Sequence, residues 1–163
     1  MFTNRVRDRA FSLVELVIVI VIIGVIAAIA IPRLSRGAAG ADESALRSNL
    51  AILRNAIELY YAEHGSAYPG AAIVNQLTLY SDRAGNTNTG KTSVFKYGPY
   101  IRKDMPPLPV GTNAGSRTVK VVTGTPTVDI AGGFGWIYSS DTGAIIANAD
   151  DLSEDGVTTF NQF

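Results

Sequence analysis

The chain has no cysteine and one histidine among its 163 residues, and no excess of either charge, since Lys plus Arg and Asp plus Glu each number 14. The missing cysteine excludes a disulfide framework, a thiolate zinc site and a cysteine nucleophile, and leaves the redox compartment unread. With His64 alone, a transition-metal site or a Ser-His-Asp triad has little to draw on; at the end of an amphipathic pattern it reads as a terminal charge or polar cap. Balanced charge offers no basic footprint for a nucleic-acid partner. Only one long apolar run is present. Outside it about 130 residues remain, enough for one modest globular domain.

That run, Phe11 to Ile31, holds 21 residues, and every side chain in it is apolar or small except Ser12 and Glu15. At about 1.5 Å per residue it reaches roughly 30 Å, the thickness of a bilayer core. A secretory signal peptide is one reading, with Arg5, Arg7 and Arg9 as its basic leader and Ala28-Ile29-Ala30 or Ala39-Gly40-Ala41 as its cleavage site. The run exceeds the usual signal core, however, and a charge near its start is unhelpful. An ordinary anchor is the other reading, but an intramembrane carboxylate costs about 2.5–3.5 kcal/mol at mid-span and less near an end. Glu15 therefore calls for a compensating partner. Arg33 and Arg36 on the far side make orientation from charge weak.

Beyond Pro32, which is expected to kink a helix, Leu46, Leu50, Leu53, Ile57 and Tyr60 follow at steps of four, three, four and three. Ala45, Ile52, Ala56 and Leu59 widen that predicted stripe, and His64-Gly65 ahead of Tyr68-Pro69-Gly70 is the stop. A continuous helix from Phe11 to His64 would be about 80 Å long. The remainder is richer in Gly, Pro, Asn, Ser and Thr. Strands are predicted at residues 117–123, 127–130, 134–138 and 144–147, and the turn Ser139 to Gly143 suggests an antiparallel sheet over the helical stripe. Residues 75–80 read as a short helix and 81–92 as a polar loop. The fold class is thus α+β, with divisions at 1–10, 11–31, 32–64 and 65–163.

Three strings invite chemical readings. Gly85 to Thr92 satisfies G-x-x-x-x-G-K-T, with Lys91 in the phosphate-reaching place, but such a loop must open a helix and Gly98-Pro99 follows too soon. Asp141-Thr142-Gly143 matches the aspartic-protease triplet, which needs two carboxylates sharing a proton; in a tight hairpin the same residues are those a turn selects. Asp150, Asp151, Glu154 and Asp155, beside Asn148, are dense in oxygen ligands, yet their spacing fits no EF-hand loop and an exposed acidic stretch is ordinarily solvated. A secreted or anchored enzyme would require one of the first two strings to work.

The N-terminal pattern resembles type IV prepilins and pseudopilins. The resemblance rests on the short basic leader ending Arg9-Ala10, the string Phe11-Ser12-Leu13-Val14-Glu15-Leu16, the apolar run with Gly24, Pro32 at its end, and the continuation to Tyr60-Tyr61. It covers about the first 65 residues; Tyr97-Gly98-Pro99-Tyr100-Ile101, Met105-Pro106 and Gly135-Trp136-Ile137-Tyr138 more weakly resemble major pseudopilins of type II secretion. The resemblance implies cleavage between Ala10 and Phe11 by a prepilin peptidase, N-methylation of Phe11, and pairing of Glu15 with the mature amine of a neighbouring subunit during filament assembly. It also implies a structural rather than enzymatic role, a motor ATPase, an inner-membrane assembly platform, other pseudopilins or minor pilins as partners, and contact with membrane lipid. The implied location is a single-pass inner-membrane protein with a periplasmic C-terminal domain. Ala10 stands where Gly is usual, and Ser12 where Thr is commoner. The missing cysteine-bounded loop favours the pseudopilin branch over the type IV pilus. No cofactor is expected; the family's calcium loop has no clear counterpart and is not carried onto Asp150 or Asp151.

Overall fold

The computed structural model describes residues 12–163, apart from the side chains of residues 30–38. It is α+β and divides into two compact units at the Ala39–Gly40 junction. A single helix, α1 (Leu13–Glu63), supplies the first unit and continues into the second. Its assignment runs unbroken through Pro32.

In the first unit, Leu13 to Ile29 carries apolar side chains around its whole circumference, and all the large ones are exposed in the isolated chain. A helix of that kind has no inward face to offer a core of its own. Among the described residues no helix is long and apolar enough to cross a membrane. The described part of the apolar run spans only about 25 Å, because both ends of the run lie outside the described side chains.

The second unit is built on the rest of α1. Leu46, Leu50, Leu53, Ile57 and Tyr60 are buried, as the spacing predicts, and Ala56 joins them. Ile52 and Leu59 do not: they are 46% and 56% exposed. At about 100° per residue both lie more than about 100° from the centre of the Leu46 to Tyr60 stripe, which carries them off the packed face. The helix stops where Gly65 turns left-handed at φ 68°, and the Ser66 N–H closes back on the Tyr61 carbonyl at 3.0 Å. A short helix α2 (Ile73–Thr78) follows, two residues earlier than predicted.

Five strands follow: β1 (Tyr80–Ser81), β2 (Thr87–Asn88), β3 (Val119–Val122), β4 (Trp136–Ser139) and β5 (Ile145–Ala147). The first two form a small antiparallel ladder where the sequence reads as the end of a short helix, at Tyr80, and a polar loop from Ser81 on. The other three form one sheet in the order β3-β4-β5. The β4–β5 hairpin is antiparallel, as its turn predicts, and Gly143 in that turn has φ 73° and no room for a Cβ against the Tyr68 ring. β3 and β4 are parallel, so the sheet is mixed rather than antiparallel.

The reason lies in residues 127–130, which form no strand. At Asp129 the backbone is bonded by a side chain. Asn148, fully buried, accepts the Asp129 N–H at 2.8 Å and donates to the carbonyls of Asp129 at 2.7 Å and Phe134 at 2.8 Å. Lys120 holds the Asp129 carboxylate at 2.7 Å. With no intervening strand, residues 123–135 become a crossover long enough to return β4 parallel to β3.

β4 is buried along its whole length. Trp136 and Tyr138 join the helical stripe with Ile145, Met105 and Leu108 in one core, while Ile137 is buried outside it. The polar ends of both rings are satisfied, Trp136 Nε1 donating to the Pro106 carbonyl and Tyr138 OH to the Pro69 carbonyl, each at 2.9 Å. Leu50→Ala is expected to cost about 2–5 kcal/mol of stability by leaving a cavity, whereas Ile52→Ala should stay within about 0.5 kcal/mol. Urea unfolding followed by tryptophan fluorescence checks the contrast.

Candidate processing and assembly site

Ala10 and Phe11 lie outside the described residues, as does the leader before them. The first described feature is the start of α1, where Ser12 and Glu15 meet. The Ser12 N–H donates to Glu15 Oε2 at 3.0 Å, and Ser12 Oγ accepts the Val14 N–H at 3.3 Å. This is a reciprocal cap that satisfies two backbone donors left open at a helix start. It was legible as S-x-x-E in Ser12-Leu13-Val14-Glu15, a signal the reading of Glu15 as an intersubunit partner passed over. The carboxylate also sits in the first turn, at the positive end of the helix dipole.

The structure does not gather the other candidate residues around this point. Gly85 to Thr92 contains β2 and a turn, with Thr92 Oγ1 accepting the N–H groups of Val94 and Phe95. No helix opens after Lys91, so the strand-loop-helix frame of a phosphate loop is missing there. Asp141 lies in the β4–β5 turn and accepts the Gly124 N–H at 3.0 Å, tying that turn to the end of β3. Pro32 falls within α1, but its side chain lies outside the described set.

His64 caps the end of α1, as expected of a polar residue there, but does so from a buried position, stacked on the Tyr60 ring at 3.7 Å with 4° between the planes. Nδ1 donates to the Tyr60 carbonyl at 2.8 Å, and Nε2 meets Ser81 Oγ at 3.0 Å. Ser81 is itself fully buried, and Tyr97 and Tyr100 close over the imidazole. Tyr100 donates to Glu63 at 2.5 Å, and burial together with that carboxylate pushes its phenol upward. The group fastens the end of α1 to β1.

In the acidic stretch, Asn148 and Asp155 have internal partners. Asp155 accepts the N–H groups of Val157 at 2.7 Å and Thr158 at 2.8 Å, and the Thr158 hydroxyl at 2.6 Å. Among the described residues no cluster of carboxylates or histidine is arranged to hold a metal ion.

Residues 5–31 match the prokaryotic N-terminal methylation motif. The chain therefore carries the prepilin-type leader of type IV pilins and pseudopilins, with Ala10, Phe11, Ser12 and Glu15 all inside the match. The motif supports a type IV pilin-like or pseudopilin precursor and implies processing by prepilin peptidase and assembly into pilin-type filaments. No curated protein and no solved structure matches the chain.

The hydrogen bonds from Thr158, first through its hydroxyl, hold the Asp155 carboxyl well below the usual carboxylate range. A depressed folded-state value contributes stability above the unfolded value, near 3.9, that is lost as pH falls toward the folded one. Acidification below about pH 4 should therefore loosen this loop. Protection of the Val157 and Thr158 amides against hydrogen exchange, taken relative to the intrinsic rate at each pH, should fall there, and Asp155→Ala should show the lower protection already at neutral pH.

Proposed function

We propose that the chain is a structural subunit of a type II secretion pseudopilus, made as a prepilin, cut between Ala10 and Phe11, methylated on Phe11 and assembled into a helical filament. The observation that carries this reading is the methylation motif at residues 5–31, joined to a helix whose large apolar side chains from Leu13 to Ile29 are exposed among the described residues. Such a surface finds its complement in lipid before assembly and in the same helix of other subunits afterwards. On this reading Phe11 to Ile31 is the single inner-membrane span and the β-sheet unit is periplasmic. The subunit catalyses no reaction and takes no cofactor. A separate motor ATPase supplies energy through an inner-membrane platform. The absence of cysteine, and so of a disulfide-bounded loop, favours the pseudopilus over a type IV pilus.

Glu15 has two uses on this reading. It caps α1 within its own chain, and it offers a carboxylate at the start of the span to the positively charged amine of a neighbouring mature subunit. Pro32 is the point at which the helix accommodates the passage from lipid to water.

N-terminal mass analysis of the membrane-bound protein should find methylated Phe11 first. A chain beginning at Ile31 or Asp42 would return it to the signal-peptide class. Glu15→Val should insert at least as readily as the natural chain, since a costly charge has left the span, and should still be cut after Ala10. Its yield of sheared filaments should nonetheless fall sharply. An undiminished yield would sink the pairing role.

A further inference from the structure

Near the C-terminal end of α1, the β1–β2 turn and the segment after β2 enclose a shallow groove of about 440 Å³. Arg83, Ser93, Val94, Lys96 and Tyr97 line it. Arg83 and Lys96 are exposed, and among the described residues neither makes an ion pair. Asp82 is also in the wall, but its carboxylate is turned to its own loop, accepting the N–H groups of Ala84 and Asn86 and the Asn86 side-chain amide. Val94 is 60% exposed, so the groove offers two cations with no carboxylate partner among the described residues, Lys96 lying 5.2 Å over the Tyr97 ring, beside an uncovered apolar side chain.

The complementary surface belongs to the same unit. The loop after β5 is closed by a Leu152–Thr159 bridge and fastened to the other end of this stretch of α1. Its Glu154 N–H donates to Glu43 at 3.2 Å, and Arg47 lies 3.7 Å over the Phe163 ring. Outward it presents the carboxylates of Asp150 and Asp151, with Leu152 at 55% and Val157 at 81% exposure. Glu43 and Glu63 are separated by about 30 Å of helix, so the two surfaces cannot meet within one chain.

We infer that the groove receives the 150–157 loop of a second copy of this chain, with Asp150 and Asp151 facing Arg83 and Lys96 and Leu152 packing beside Val94. The match is one of charge and of apolar surface, which sets partner and register more than raw affinity. Because the two patches are different surfaces at opposite ends of one element, the contact is head-to-tail. Repeated without closure, it propagates subunits in a line. The inference rests on the filament reading and names one of its lateral contacts.

The full chain contains no cysteine, so an introduced pair reports only itself. Oxidation of intact membranes carrying Val94→Cys together with Leu152→Cys should produce a ladder of covalent oligomers, and coexpressed single variants a dimer containing one of each. Lys96→Glu in the double-cysteine chain should reduce the ladder about tenfold, and adding Asp150→Lys should restore it. No ladder from the processed double variant, equal dimer from Val94→Cys alone, or no restoration by the second charge change would each overturn the contact. Filament yield is scored separately in the same cells. Filaments without the ladder would leave the filament reading standing and remove this contact, and a ladder in the membrane fraction would support the contact whatever the filament yield.

Discussion

The seam between α1 and β4 is the contact on which the second unit depends. Leu46, Leu50, Leu53, Ile57 and Tyr60 present one stripe, and Trp136 and Tyr138 are the large side chains of the sheet that join them in the core. Neither partner is self-sufficient. β4 is too short to be stable without cover, and an isolated helix gains little from its own propensity. Their packing is also where the polar constraints converge, because Trp136 and Tyr138 can be buried only if Pro106 and Pro69 bring their carbonyls within reach. The loops that carry those prolines are thereby fixed in place by the core they cover.

The same helix lives under two regimes. Up to Ile29 its large apolar residues point in every direction, and from Gly40 on the buried ones lie on one stripe, with Glu43, Arg47, Ile52, Glu58 and Leu59 among the residues off it. The first pattern satisfies every backbone group internally while leaving the side chains to be covered by something outside the chain. The second is covered by the chain's own sheet. One helix thus contributes to a unit whose apolar stripe is covered by the chain's own sheet and to a unit whose large apolar side chains are exposed.

Much of this was legible in the sequence where a periodicity had a single cause. The steps of four and three from Leu46 to Tyr60 reflect burial against one surface, and the Ser139 to Gly143 turn follows from backbone demands local to five residues. Legibility failed where a residue's partner is distant. Residues 127–130 have strand composition, but Asn148, 19 positions away, takes the backbone N–H and carbonyl of Asp129. His64 reads as a terminal polar group until Ser81 and the two tyrosines are brought over it. Ile52 and Leu59 are apolar in sequence and exposed in the fold, because composition does not say on which side of a helix the sheet will lie. At the candidate site the failure was of another kind: the Ser12 to Glu15 spacing was in plain view, and the prominence of the carboxylate's charge obscured its backbone role.

That cap engages a single oxygen of the Glu15 side chain. A carboxylate has acceptor positions on both oxygens, and among the described residues Oε1 has no partner. The side chain is bivalent: one half is committed to its own main chain, and the other has no partner among the described residues. A cation arriving from outside would be added to the existing hydrogen bond instead of replacing it, so the first turn of α1 need not unwind to admit it. Preorganisation of this sort separates the conformational cost of holding a charge in place from the moment at which that charge is used.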